Sequence, residues 1–121
     1  MTTEVRMADV VACLTMKGIV LGERYREKDA YDIYAVAAHY GQGPHEVAEA
    51  VRPFLHEPLI REAMDNIRTA FASRTSHGPA WVAGFLASPL FADEFQRRVT
   101  DAFMVVQEFS TALAAPVHKG A

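Results

Sequence analysis

Residues 28–34 read Lys-Asp-Ala-Tyr-Asp-Ile-Tyr, and this segment predicts the start of an amphipathic helix over residues 28–40. Its apolar residues recur at spacings of three and four, which places them on one face of the helix. Asp29 and Asp32 are three residues apart and therefore share another face. Gly41 then ends the helix, because glycine readily adopts the backbone conformation that is common at helix C-termini. The segment thus predicts a helix that buries one face and presents two carboxylates on another.

Helical spacing continues along the chain, and proline and glycine mark the boundaries between segments. A helix is predicted over residues 7–21, and further helix starts are expected near residues 44, 58, 76 and 88. No stretch alternates for long enough with the period of two that is typical of a strand. The chain is therefore predicted to be all-α, with about six helices in one domain over residues 1–113 and a flexible tail over 114–121.

Two expectations concern the connection between the third and fourth helices. Pro53 is expected to end the third helix, because proline lacks the backbone N–H that a helix interior requires. Phe54 is then expected to pack on the core from the turn. Leu59 lies on the predicted apolar stripe of the fourth helix and is also expected to be buried.

Composition limits the classes of function that fit this chain. Its 121 residues have room for one domain, and half of them are apolar. The net charge of −3, with acids and bases interspersed, does not fit a free-standing nucleic-acid-binding domain. Cys13 is the single cysteine, which excludes an intrachain disulfide and favours a reducing compartment. Because no signal peptide and no membrane-spanning apolar run is recognisable, we expect a cytoplasmic protein with no membrane contact.

Lys17 interrupts the apolar stripe of the first helix, at a position equivalent to those of Leu14 and Leu21. Burial of a lysine without a partner is costly, because the ammonium loses its hydration. In one interpretation its methylenes pack on the core and its ammonium reaches solvent. In the other, Lys17 pairs with Asp29 and Asp32 or faces a phosphate.

Asp29 and Asp32 also allow more than one interpretation. Asp29 opens the second helix, where a cap or a partner for the helix dipole is typical. Asp32 lies one turn further in and has no such role. Together with His39 the two acids form a stripe that could ligate a metal, orient a base or face solvent. A chain with one cysteine does not favour a structural zinc site, and no metal site is predicted.

The segment between the first two helices is basic. Arg24, Arg26 and Lys28 are interleaved with Glu23 and Glu27, and alone this pattern is typical of a salt-bridged loop. No glycine-rich phosphate-binding loop precedes a helix anywhere in the chain.

A resemblance to a known family rests on residues 16–21 (Met-Lys-Gly-Ile-Val-Leu), Arg24 and residues 28–34. This pattern resembles the C-terminal helical half of AbiEii-type nucleotidyltransferases, a family that includes toxins of type IV toxin–antitoxin systems. In that family a lysine on a helix is followed, across a short basic loop, by an Asp-x-x-Asp-Leu/Ile motif. Residues 71–73 (Phe-Ala-Ser), 77–79 (His-Gly-Pro) and 81–83 (Trp-Val-Ala) also resemble the helical tail of bacterial members, so that the resemblance extends from about residue 5 to about residue 113.

The resemblance implies a role for six residues. Lys17, Asp29 and Asp32 are matched to catalytic positions, with the lysine binding phosphate and the acids orienting it. Arg24, Arg26 and Lys28 are expected to contact substrate phosphates.

One half of the family's active site has no counterpart in this sequence. Members carry a Gly-Ser or Gly-Gly-Thr motif and an acidic pair on a sheet, and together these hold the metal and the nucleotide. The resemblance therefore implies nucleotide transfer from an NTP to a hydroxyl of RNA or protein only if a partner supplies the missing half. Mg²⁺ and NTP are expected as cofactor and substrate of that complete site alone, and nucleic acid only as its acceptor.

The alternative hypothesis is a non-catalytic helical interaction module. A helical domain that lacks its sheet is expected to expose an apolar face, which a second copy or another protein would cover. A homodimer is expected under this hypothesis.

Overall fold

The computed structural model describes residues 7–23, 27–86 and 92–114, and these ranges are predominantly helical. The six α-helices are α1 (Met7–Glu23), α2 (Glu27–His39), α3 (Pro44–Val51), α4 (Pro58–Ala70), α5 (His77–Leu86) and α6 (Ala92–Ala114). One turn of 3-10 helix, Arg52–Phe54, follows α3 directly. No strand occurs within these three ranges. The predicted all-α fold of about six helices is confirmed.

The helix boundaries follow the proline and glycine signals closely. Pro44 and Pro58 stand in the first turns of α3 and α4, where the missing backbone N–H has no intrahelical partner to lose. Gly41 has a φ of 58°, the left-handed conformation expected after the end of α2. The predicted start of the last helix at Ser88 and the tail from residue 115 onward lie outside the described residues.

Each helix buries one face in a shared core. α1 packs against α4 and α2, while α6 packs against α3 and α5, and α2 connects the two groups through its contact with α5. The largest side chains with almost no exposed surface are Leu14, Ile33, Val47, Val51, Ile67, Phe71, Val82, Val106 and Phe109. All of them lie at helical spacings of three or four from other buried apolar residues, as the sequence pattern predicted.

Helices α1 and α4 approach each other most closely at Gly18. A Cβ atom added at Gly18 would lie 2.6 Å from the backbone oxygen of Ala63 and 2.9 Å from its Cβ. This glycine is therefore required by the distance between two helix backbones.

Two predictions about the core are wrong. The Phe54 side chain is 43% exposed and that of Leu59 is 58% exposed, although both were expected to be buried. Pro53 follows the end of α3 at Val51 and lies in the 3-10 turn, which leaves Phe54 at the rim of the bundle. Leu59 lies in the first turn of α4 beside the same rim. At this place α1, the turn and α4 enclose an open groove.

Candidate functional site

Four charged side chains meet where α1 lies beside α2. The ammonium of Lys17 lies 3.0 Å from Oδ1 of Asp29 and 3.0 Å from Oδ2 of Asp32. Lys28 Nζ lies 3.0 Å from the same Asp32 oxygen. We refer to Lys17, Lys28, Asp29 and Asp32 as the lysine–aspartate cluster. Four of the six residues that were predicted to form a site are thus brought together, while Arg24 and Arg26 lie outside the described residues.

Local sequence explains how the cluster assembles. Asp29 and Asp32 share one face of α2 because they are three residues apart, and Lys28 reaches Asp32 from one turn earlier on the same helix. Lys17 crosses from α1 and donates a hydrogen bond to Asp29. One face of α2 therefore holds a lysine that belongs to another helix.

Burial increases from one side of the cluster to the other. The Lys28 side chain is 67% exposed and that of Lys17 is 29% exposed, whereas that of Asp29 retains only 9%. Asp29 Oδ2 is buried and has no hydrogen-bond partner among the described residues. The cluster thus has a closed side at Asp29 and an open side at the lysines.

The ion pairs change the proton affinities of two groups. Hydrogen bonds to Asp32 and Asp29 raise the pKa of the Lys17 ammonium above its ordinary value. For Asp32, burial acts to raise the pKa, but hydrogen bonds from Lys17 and Lys28 outweigh it and the pKa is lowered. Both shifts favour the charged forms, so Lys17 and Asp32 are ionised together at neutral pH.

The geometry distinguishes between the roles that the sequence left open for the charged and metal-ligating side chains. The Lys17 ammonium is paired with both acids, and Asp29 is buried in an ion pair although a capping role was the simpler expectation. His39 is exposed and makes an edge contact with the Tyr34 ring. Residues 7–23, 27–86 and 92–114 contain no group of three His, Cys, Asp or Glu side chains that could hold a metal ion. Burial raises the pKa of the Cys13 thiol, which favours its unreactive, protonated form.

A cavity of about 450 Å³ that was not predicted from the sequence lies at the C-terminal end of α1. We call it the α1–α4–α5 pocket, because Leu21 and Gly22 of α1 line it together with residues of α4, of the following turn and of α5. Its polar and aromatic lining residues are Asn66, Thr69, Thr75, Ser76, His77 and Trp81. They all lie within residues 66–81, but the pocket also requires Leu21 and Gly22 of α1, which no local motif in that segment could have indicated.

Sequence reasoning also missed a contact between α2 and α6. The Tyr34 hydroxyl donates a hydrogen bond to Asp101. Burial, together with this bond to a carboxylate, raises the pKa of Tyr34 to about 12. The two residues are 67 positions apart in the chain, a separation at which periodicity carries no information.

An apolar groove of about 380 Å³ occupies the rim that exposes Phe54 and Leu59. Its other described lining residues are Val11, Ala12, Thr15, Met16 and Ile60, and none of the described residues that line it is charged. Met16 is 68% exposed and directly precedes Lys17 on α1.

Comparison with known proteins does not indicate a family for this chain. Protein-family models, curated proteins and solved structures give no significant match to this chain. None of the described helices has the length and apolar character that are needed to cross a membrane. The candidate site consequently rests on its own residues and their geometry.

Proposed function

We propose that this chain is the helical domain of an AbiEii-type nucleotidyltransferase and that Lys17 binds the phosphates of an NTP. The observation that carries the proposal is the position of the Lys17 ammonium, 3.0 Å from a carboxylate oxygen of each of Asp29 and Asp32. These are the three residues that the sequence resemblance matched to catalytic positions.

The energetics of the cluster favour a functional role over a purely stabilising one. The free energy lost when two charges leave water largely cancels the attraction between them. Apolar residues of similar volume therefore often stabilise a fold more than a buried ion pair does. Asp29 in addition keeps one buried carboxylate oxygen without a partner among the described residues. Such an oxygen costs about 1–3 kcal/mol. Stability alone therefore does not account for a lysine on the apolar stripe of α1, and the exposed side of Lys17 is accessible to a ligand.

The cluster has the chemistry of a phosphate-binding site. A lysine ammonium carries three N–H donors, and Asp29 and Asp32 account for two of them. The remaining donor and the positive charge suit a phosphate oxygen that approaches from the open side. The two acids hold the ammonium in one place, so that little side-chain freedom is lost when the nucleotide binds.

The reaction that fits the proposal is nucleotidyl transfer. A hydroxyl oxygen of the acceptor attacks the α-phosphorus of the NTP, the bond from that phosphorus to the bridging oxygen breaks, and pyrophosphate leaves. The hydroxyl proton passes to a base, and Lys17 offsets negative charge on the phosphates. We propose that a partner protein supplies the acids that hold Mg²⁺, that RNA or protein is the acceptor, and that the complete enzyme acts in the cytoplasm.

Calorimetric titration of the 121-residue chain with each Mg–NTP tests the proposal. Nucleotide transfer requires the partner, but the phosphates contact Lys17 of this chain. We therefore expect at least one nucleotide to bind the chain alone with a Kd of about 1 mM or tighter, corresponding to about 4 kcal/mol. Lys17→Ala should weaken binding at least about 10-fold, because a charge-assisted hydrogen bond contributes about 1.5–3 kcal/mol. Arg68→Ala is the matched control, because it removes one positive charge from an exposed pair with Asp65 on α4.

Two results would contradict the proposal. One is the absence of binding by the parent chain, and the other is equal binding by the parent chain and Lys17→Ala. Circular dichroism on every variant shows whether the helices are retained, so that a loss of binding is not mistaken for unfolding.

The apolar groove favours a second candidate function, self-association of a helical interaction module. A second copy is the occupant that fits best, because the lining is uncharged and the same patch carries both the groove and the protruding Met16. Such a patch can pair with itself about a two-fold axis. Sedimentation equilibrium should then show a dimer that Met16→Lys dissociates. Met104→Lys is the control, since Met104 is exposed to a similar extent on α6.

A further inference from the structure

The α1–α4–α5 pocket has the size of a small-molecule site. Its volume of about 450 Å³ falls within the range of about 300–1,000 Å³ that is typical of ligand pockets. It lies between the C-terminal end of α1, the second half of α4, the turn that follows α4 and the first turns of α5.

One wall of the pocket is aromatic. His77 and Trp81 lie one turn apart on α5, with their ring centroids 5.4 Å apart and their planes inclined at 36°. Aromatic side chains of this kind provide a surface on which a planar ring can stack, and stacking tolerates any base because every base has a π-face.

Helix α4 contributes to the pocket an amide that is held in position. Asn66 Nδ2 donates a 3.1 Å hydrogen bond to the backbone oxygen of Gly18. Gly22 makes room for this amide, because a Cβ atom at that position would lie 2.4 Å from Asn66 Nδ2. The amide therefore lies against α1 in a defined orientation, and Thr69 adds a hydroxyl one turn further along α4.

The turn before α5 supplies further hydroxyl groups in a fixed arrangement. The Ser73 backbone N–H donates to Ser76 Oγ at 3.0 Å, and Ser73 Oγ lies 3.0 Å from Thr75 Oγ1. A hydroxyl offers one donor and two acceptor positions, so that Thr75 and Ser76 retain hydrogen-bonding capacity after these contacts.

The composition of the lining indicates the chemical class of the ligand. Among the described residues that line the pocket, none is an acid, a lysine or an arginine. Hydroxyl groups, an amide and aromatic rings together suit a planar, uncharged group with several donors and acceptors. A nucleobase has these properties, whereas a phosphate alone would find no positive charge among these residues.

The pocket is also well placed relative to Lys17. Leu21 lines the pocket and follows Lys17 by four residues on α1, which brings both to one face of the helix. Four residues correspond to about 6 Å along the helix axis. A nucleotide is long enough to span this distance.

We propose that the α1–α4–α5 pocket binds the nucleobase of the NTP whose phosphates lie at Lys17. This inference rests on the proposed function for the position of the phosphates. It adds a base-binding site in which His77 and Trp81 stack on the base, while Asn66, Thr69 and Thr75 contact its edge or the sugar.

Trp81 makes a direct test possible, because it is the single tryptophan of the chain. Nucleosides without phosphate are titrated against the intrinsic fluorescence of the full chain. We expect saturable quenching by at least one nucleoside. Thr69→Val and Thr75→Val each remove a hydroxyl from an exposed residue and keep the side-chain volume, and each should weaken binding about 5-fold. Thr111→Val, at an exposed position on α6, should leave binding unchanged.

The possible outcomes separate this inference from the proposed function. Quenching that rises linearly with nucleoside concentration and is the same in all variants is collisional and overturns the pocket assignment. If this happens while NTP binding still depends on Lys17, the phosphate site stands without the pocket. Saturable nucleoside binding that responds to Thr69→Val, with triphosphate binding insensitive to Lys17→Ala, supports the pocket and overturns the phosphate site.

Discussion

Helix α1 makes two contacts of opposite chemistry at neighbouring residues. Gly18 brings the backbone of α1 against that of α4, with no room for even one additional carbon atom. Lys17 instead crosses to α2 and enters two ion pairs with Asp29 and Asp32. The Gly18 contact leaves no room for a side chain, whereas the Lys17 contact consists of charged side chains.

The difference separates what holds the helices together from what the protein does. Close apolar packing gives reliable stability, because dispersion and the release of water add up over many atoms. A partly buried ion pair gives little net stability, since desolvation offsets the attraction. We infer that the close contact at Gly18 maintains the fold and that the Lys17 contact with α2 binds the phosphates of the ligand. Substitutions in the core of α1 and in the lysine–aspartate cluster should therefore differ in their effect on stability.

The largest loss of stability is expected in the apolar core that α1 enters. Leu14 has no exposed surface, so Leu14→Ala should lower the free energy of unfolding by about 2–5 kcal/mol through lost burial and a cavity. Urea unfolding measures this change. Met104→Ala, at a residue 60% exposed on α6, should change it by less than about 0.5 kcal/mol. Comparable losses for both variants would show that Leu14 is not in a packed core.

Removal of the Lys17 charge should have an intermediate effect on stability. Lys17→Met keeps the apolar stem but leaves the Asp29 carboxylate buried without its ion pair. The expected loss is about 1–3 kcal/mol. In the double variant Lys17→Met with Asp29→Asn, the total loss should be smaller than the sum of the single losses, because the uncompensated charge is gone. Additive losses in this double-mutant cycle would mean that the two residues do not interact.

The pH dependence of stability should reveal the contribution of Asp32. Its pKa is lowered in the folded state, so its contribution is present above the unfolded pKa of about 3.8 and is lost as pH falls through the folded value. Asp32→Asn should therefore be less stable than the parent chain at pH 7 by about 1 kcal/mol. The two proteins should converge in acid. A difference that stays constant from pH 7 down to about pH 2 would contradict the ion pairing.

The smallest effect is expected for an ion pair outside the cluster. Arg68 lies 3.0 Å from Asp65, but both side chains are more than half exposed on α4. Exposed pairs contribute about 0–1 kcal/mol, so Arg68→Ala should barely change the unfolding free energy. If Arg68→Ala lowered the free energy of unfolding as much as Lys17→Met does, the cluster would contribute no more to stability than an ordinary surface ion pair.

The sequence predicted the features that depend on local spacing. Prolines at 44 and 58 and the glycine at 41 mark helix ends because their effect is confined to a few residues. The meeting of Asp29 and Asp32 follows from their spacing. Their pairing with Lys17 was one of two interpretations, and only the packing of α1 on α2 distinguishes them.

Features that depend on tertiary arrangement could not be predicted in this way. Phe54 was assigned to the core because it is apolar, yet its burial depends on how α1 and α4 close around the turn. The hydrogen bond from Asn66 to Gly18 joins residues 48 positions apart, and the α1–α4–α5 pocket depends on it. Periodicity describes one helix at a time and does not specify which polar groups two helices bring together.

The central claim, that the Lys17 ammonium binds nucleotide phosphate, is tested most directly by nuclear magnetic resonance of the lysine side chains. The chain has only three lysines, Lys17, Lys28 and Lys119, and loss of one signal in Lys17→Arg assigns the resonance of interest. On titration with Mg–NTP, the Lys17 ammonium signal should shift along a saturation curve with the Kd found by calorimetry. An ammonium signal that does not move while the nucleotide saturates the protein would contradict the account, and so would a protein that binds no nucleotide.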